Sequence, residues 1–191
     1  MLYNVAKKLV TVFYKSRFKI KVIGEDRVPT EGPVLICSNH ISDFDPPLIG
    51  ISLKGEMSFF AKSELFKIPV FGNIVSRLNT IPVERGKSDR QALKDSVEAL
   101  KEGRTMLVFP EGTRSRDGEL KDFQQGASFM AVKAGAVIVP AAIKGKYNRK
   151  EGVTVVFGKP IDVQEMVNEG KNRKDITLRL REDINNLLFS E

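Results

Sequence analysis

At 191 residues, with 41% hydrophobic and 29% charged side chains, the chain has the size and composition of one globular domain with a sizeable core, which excludes disorder and low complexity. One cysteine and one histidine exclude an intramolecular disulfide and argue against a cysteine-rich zinc site, a histidine-ligated metal or a haem. The net charge of +7 sits at one end: Lys7, Lys8, Lys15, Arg17, Lys19 and Lys21 precede the first acid, Glu25, and the other 25 basic residues face 24 acidic ones. A nucleic-acid binder would carry its basic face through the body of the fold, so no nucleic acid is expected.

In chain order, Leu2, Val5, Ala6, Leu9 and Phe13 recur at helical spacing, with Lys7, Lys8 and Lys15 elsewhere on the wheel. The segment 1–16 therefore reads as an amphipathic helix. It either packs on its own domain or lies on an anionic membrane surface with its lysines at the headgroups. No apolar run approaches 18 residues, so no spanning helix is expected. The lysines also interrupt anything resembling a signal peptide.

From residue 17 to 191 we read one domain. FKIKVIG (18–24) and PVLICS (33–38) are strands, with Cys37 a buried thiol. A loop follows, and Asp45 stands near the N-cap of a helix with Pro46 at its first position. SFFAK (58–62) is a strand, VFGNIVSRL (70–78) a short helix and NTIPV (79–83) a strand. Ser88 followed by Gln91 opens a helix that Gly103 stops. TMLVF (105–109), AVIVPAAI (136–143) and VTVVFG (153–158) are strands, and helices cover about 125–134 and 173–189. The alternation predicts an α/β fold, with a mixed, largely parallel sheet flanked by helices and a short N-terminal amphipathic helix. In such sheets sites form beyond the C-terminal strand ends, where both the loop of His40 and the loop 110–116 emerge.

Residues 38–47, SNHISDFDPP, hold the lone His40 with Asp43 and Asp45 close by. On one continuous helix His40 and Asp45 would stand about 140° apart, and the prolines argue for a loop instead. In a loop either aspartate could orient the imidazole, and the spacing leaves both open. FPEGTRSR (109–116) supplies Gly112 for a tight turn and Arg114 and Arg116 as forked phosphate donors. Arg85 in IPVERG and Lys62 after SFFA stand at strand ends. No GxSxG and no exposed cysteine occurs, so a histidine base acting on a substrate hydroxyl is the fitting chemistry.

NHISDFD resembles the NHx4D block of the glycerolipid acyltransferases, IPVERG their second block, FPEGTRS their third and IVPAAI (138–143) their fourth, in the family's order. AKSELFKIPVFG and FGKPIDV are similar to bacterial 1-acyl-sn-glycerol-3-phosphate acyltransferases. The resemblance implies that His40 and Asp45 are catalytic and that a lysophosphatidic acid hydroxyl attacks acyl-CoA or acyl-carrier protein directly, giving phosphatidic acid. It implies acceptor contacts at Glu111, Gly112 and Thr113, phosphate contacts at Arg114, Arg85 and Lys62, and a structural Pro140 at a strand end. No metal or cofactor beyond the acyl donor is implied. The protein is expected on the cytoplasmic face of the cell membrane, peripheral or monotopic, with residues 17–191 as the acyltransferase domain. Glycerol-3-phosphate or another lysolipid, such as a lyso-ornithine lipid, is the alternative acceptor.

Overall fold

A computed structural model describes residues 2–69, 71–76, 78–83, 90–115 and 119–190. The elements are α1 (Leu2–Arg17), β1 (Ile20–Ile23), β2 (Val34–Ser38), α2 (Asp45–Ser52), β3 (Ser58–Lys62), α3 (Phe71–Ser76), β4 (Thr80–Val83), α4 (Arg90–Lys101), β5 (Thr105–Val108), α5 (Gly126–Ala134), β6 (Val137–Gly145), β7 (Val153–Phe157), α6 (Val163–Asn168) and α7 (Arg173–Phe189). One sheet takes them all in the order β1-β7-β6-β2-β5-β3-β4. Strands β2 to β6 run the same way, and β6 pairs antiparallel with β7. The expected α/β architecture with a mixed, mostly parallel sheet is the one observed.

β2 is buried from end to end, as a central strand covered on both faces must be. Its period-two alternation divides two cores. Leu35 and Cys37 pack with Met106, Ile138 and the inner faces of α4, α5 and α7. Val34 and Ile36 pack with Leu107, Val139, Leu48 and Ile49 under α1 and α2. α7 starts from a capping box between Asn172 and Asp175 and buries Ile176, Leu180 and Ile184.

Four readings need correction. α2 begins at Asp45 itself, with Phe44 in the N-cap position and no side-chain cap bond; the Asp45 carboxylate turns back to the preceding loop instead. Pro140 lies inside β6 and not at its end. The β6–β7 ladder stops at Ala141 and Phe157, and the Pro140 carbonyl accepts from Gly158 N at 2.7 Å. The missing N–H therefore falls between the end of that ladder and the Ile138–Ile161 bridge. α6 was not expected. Asp162 caps it by accepting from the amides of Gln164 and Glu165, but six residues are too few to show a period. The capping signal at Ser88 lies outside the described residues.

The fourth correction concerns α1. Its inward face is Tyr3, Ala6, Lys7, Val10 and Tyr14, set over α2. Lys7 is not at a headgroup position. Its Nζ donates to Leu53 O at 2.5 Å and Gly55 O at 3.0 Å, satisfying carbonyls past the end of α2. Burial pushes its ammonium pKa down. The expected apolar stripe, apart from Ala6, points outward, away from the domain. Leu2, Val5, Leu9 and Phe13, joined by Val12, are exposed, Leu9 and Val12 by 68% and 69%. At about 100° per residue they form one side of the helix. Among the described residues no helix is long and apolar enough to cross a membrane.

Candidate active site

β2 and β5 are adjacent and parallel, with Cys37 opposite Val108. Their C-terminal loops must therefore emerge side by side, although 71 residues separate His40 from Glu111. The loops are stitched together. Ser115 N donates to His40 O at 2.8 Å, and His40 N donates to Glu111 Oε1 at 2.9 Å. On the other side of β2, Asn39 clamps β6: its Nδ2 donates to Ile143 O at 2.9 Å and its Oδ1 accepts from Ile143 N at 2.7 Å.

The geometry separates the two aspartates. His40 Nδ1 stands 2.8 Å from Asp45 Oδ2. The same oxygen accepts the amides of Ile41 at 2.6 Å and Ser42 at 2.8 Å. The Tyr147 hydroxyl donates to Asp45 Oδ1 at 2.5 Å. Asp45 is fully buried, and the two amides and the hydroxyl all donate to it. A carboxylate so surrounded is an acceptor only, so His40 Nδ1 carries the hydrogen and Nε2 is left as the basic nitrogen. The imidazole is stacked on Phe109, with ring centroids 4.0 Å apart and planes at 14°, and its side chain is 15% exposed. Asp43 instead pairs with Arg114 at the surface.

The third-block residues divide by exposure. Glu111 is buried, and its second oxygen accepts Lys121 N at 3.0 Å. Both of its oxygens therefore hold backbone amides, tying the His40 loop to the segment at 121. Gly112, Thr113 and Arg114 are exposed. Gly112 has φ of 71°, and a Cβ there would stand 2.8 Å from Gln124 Nε2, so the turn needs glycine. Lys62 ends β3 opposite Val83 of β4; its side chain lies outside the described part, as do Arg85 and Arg116 altogether. A polar cavity of about 440 Å³ lined by Glu25, Asp26, Glu56 and Arg104 opens at the opposite end of the parallel strands, beside the first residues of β3 and β5. It has no part in this constellation.

Three contributors were not singled out from sequence. Phe109 and Asn39 stand inside the quoted blocks and could have been. Tyr147 is 102 residues from Asp45, in a β6–β7 hairpin loop whose composition signals only a turn. Burial, and the neighbouring Asp45 charge, push its phenol pKa far up.

Residues 19–144 match the Acyltransferase family. The chain is 34% identical over 144 residues, 74% of its length, to the chloroplastic 1-acyl-sn-glycerol-3-phosphate acyltransferase LPAT1 of Arabidopsis thaliana, and spans 40% of that protein. It is 28% identical over 167 residues to the 1-acyl-sn-glycerol-3-phosphate acyltransferase of Bacillus subtilis, covering 84% of this chain and 82% of that one. It is also 32% identical over 137 residues, 71% of this chain and 50% of the relative, to a lyso-ornithine lipid O-acyltransferase of Pseudomonas aeruginosa. The crystal structure of the 1-acyl-sn-glycerophosphate acyltransferase PlsC from Thermotoga maritima superposes with a TM-score of 0.77 at 28% identity, covering 99% of this chain and 81% of that one. With a paired His40 and Asp45 at the mouth of the sheet and a family match across two thirds of its length, the chain belongs to the Acyltransferase family.

Proposed function

We propose that the protein transfers an acyl chain from acyl-CoA or acyl-carrier protein to the sn-2 hydroxyl of 1-acyl-sn-glycerol-3-phosphate, giving phosphatidic acid. The observation that carries this reading is the His40 Nδ1 to Asp45 Oδ2 bond at 2.8 Å, which leaves Nε2 as the base. Nε2 takes the hydroxyl proton as the oxygen attacks the thioester carbonyl. Asp45, a negative charge on the far side of the ring, stabilises the imidazolium that forms. The tetrahedral intermediate collapses with cleavage of the C–S bond, and the imidazolium returns its proton to the departing thiolate. No side chain carries the acyl group.

Arg114, with Arg85 and Lys62, is assigned to the acceptor phosphate, whose charge would displace Asp43 from Arg114 or share it. Gly112 and Thr113 offer the exposed turn beside it. Glu111 serves the acceptor through the loop it holds, since both of its oxygens are engaged. The outward stripe of Leu2, Val5, Leu9, Val12 and Phe13, flanked by Lys8 and Lys15, suits an anionic membrane surface, and we assign the protein to the cytoplasmic face of the cell membrane as a peripheral enzyme. In this reading residues 1–16 are the membrane-surface helix and 17–191 the acyltransferase domain.

The test is a panel of acceptors, each offered with both donor classes, in mixed vesicles. Lysophosphatidic acid should be preferred, and His40→Ala should lose about 10²- to 10⁴-fold in rate. A His40→Ala enzyme of unchanged rate overturns the mechanism. The lyso-ornithine lipid relative supports a second acceptor reading, and preference for a phosphate-free lysolipid in the same panel would establish it.

A further inference from the structure

The geometry points to Tyr147 as a positioning residue of this site: its hydroxyl holds the second oxygen of Asp45 and so fixes the carboxylate that sets the plane and tautomer of His40. The role in turnover rests on the acyltransferase reading, whereas the contact itself does not.

Asp45 Oδ2 carries three donors, His40 Nδ1 and the amides of Ile41 and Ser42. The backbone pair cannot by itself hold the carboxylate plane, because both bonds end on one oxygen. Tyr147 bonds the other oxygen at 2.5 Å and closes the rotation. Its own position is fixed twice over. The ring packs on Phe18 at 5.4 Å and 77° and on Phe44 at 5.4 Å and 40°. The hairpin around it is closed by Lys146 N on Gly152 O at 2.8 Å and Asn148 N on Lys146 O at 2.7 Å. Burial keeps the phenol protonated, so it remains a donor across any working pH. Without it, one oxygen of a fully buried carboxylate would have no donor among the described residues, and that charge would be relieved by turning toward other hydrogens, His40 Nδ1–H among them. Tyr14, the neighbouring phenol, donates to Phe44 O at 2.9 Å and not to Asp45, which supplies an internal control.

His40 is the only histidine, so ¹⁵N-histidine labelling of the untagged full chain reports this imidazole alone. The unsubstituted protein should show a protonated Nδ1 and an unprotonated Nε2, with a downfield Nδ1 proton. Tyr147→Phe keeps the ring and removes the hydroxyl. It should move that proton upfield and mix the tautomers, while Tyr14→Phe, which loses only a bond to the Phe44 carbonyl, should shift both signals far less. In steady-state transfer Tyr147→Phe should lower kcat about 10- to 100-fold with both KM values within about twofold, a split that general loss of structure would not produce. Imidazole signals in Tyr147→Phe identical to the unsubstituted protein overturn the proposal, as does an unchanged kcat. A variant-free reading covers the case where Tyr147→Phe does not fold: the native protein should show a slowly exchanging phenolic proton with a nuclear Overhauser contact to His40 Hδ1, and absence of that contact overturns the bond. An imidazole that responds as stated in a protein with no acyl transfer supports the contact and overturns the proposed function instead.

Discussion

Replacing Asp45 by Asn separates charge from shape, and Asp43→Asn is its matched comparison. The amide can keep its oxygen toward the amides of Ile41 and Ser42 and toward His40 Nδ1, and turn its nitrogen to Tyr147, whose hydroxyl can accept. The loop and the tautomer are thereby kept, and what is lost is the charge beside the imidazolium. At an effective dielectric of about 20, a unit charge about 4 Å from the ring centre is worth about 4 kcal/mol, or roughly a thousandfold in rate. The amide dipole retains part of that, so the expected loss in kcat is about 10²- to 10³-fold. Among the described residues Asp43 pairs with Arg114, and the side chains of the pair are 75% and 41% exposed. Such a pair carries little energy, so Asp43→Asn should change kcat less than about fivefold. Thiol release from acyl-CoA reads both variants with a chromogenic disulfide, and the one protein thiol, Cys37, is fully buried and adds no background. Equal losses in the two variants, or a loss below about tenfold in Asp45→Asn, would refute the assignment of the imidazolium partner.

Arg114→Ala should raise the KM for lysophosphatidic acid with kcat nearly kept; a change confined to the acyl-donor KM places the cation on the wrong substrate. Asn39→Ala removes both bonds to Ile143 and leaves a buried N–H and C=O bare, costing about 2–4 kcal/mol and a drop in Tm of about 4–16 °C by differential scanning fluorimetry; a drop below about 2 °C would mean water replaces the clamp. Burial pushes the Cys37 thiol up, so above a pH of about 9 the unfolded chain releases a proton that the fold retains, and stability must fall as pH rises; alkylation of the native protein at the rate of free cysteine would contradict this. Leu9→Asp with Val12→Asp should leave Tm unchanged and lower sedimentation with phosphatidylglycerol vesicles more than tenfold, since each apolar side chain left in water forfeits about 1.5–3 kcal/mol; undiminished vesicle binding would assign the stripe to something other than a lipid surface.

The sheet was legible because its strands are short runs of Val, Ile, Leu and Phe closed by turn residues, a signal carried within five or six positions. The two loops of the site were legible for the same local reason, since each block is contiguous. Spacing alone left open which aspartate meets His40, because Asp43 and Asp45 lie only three and five positions from it; the family resemblance pointed to Asp45, and in the structure the fold-back of the first residue of α2 onto two loop amides sets it apart. Tyr147 was illegible for a different reason. Its partner lies 102 residues away, and its place depends on β6 being the neighbour of β2, with the hairpin to β7 carrying it back over the site. The outward turn of the α1 stripe was hidden as well. A helix with apolar residues on two sides shows a periodicity but not which side its domain claims, and Tyr3, Val10 and Tyr14 claimed the other one.

That choice of side has a mechanical result. α1 grips α2 at both ends: Lys7 Nζ bonds Leu53 O and Gly55 O beyond its last turn, and Tyr14 OH bonds Phe44 O just before its first residue. The first residue of α2 is Asp45. Phe18, following α1, packs on Phe44, the residue before Asp45, and on Tyr147, whose hydroxyl bonds the Asp45 carboxylate. The helix that offers Leu9, Val12 and Phe13 outward is thus continuous, through hydrogen bonds and ring contacts, with the group that orients His40. Among the described residues, packed side chains and one short helix join the outward stripe to the imidazole. In the proposed function, a membrane that took up the stripe would therefore set the depth and tilt of the loop carrying His40 at the same moment, and a lysolipid acceptor whose hydroxyl lay just beneath the headgroup plane would need a base held at a fixed height above it.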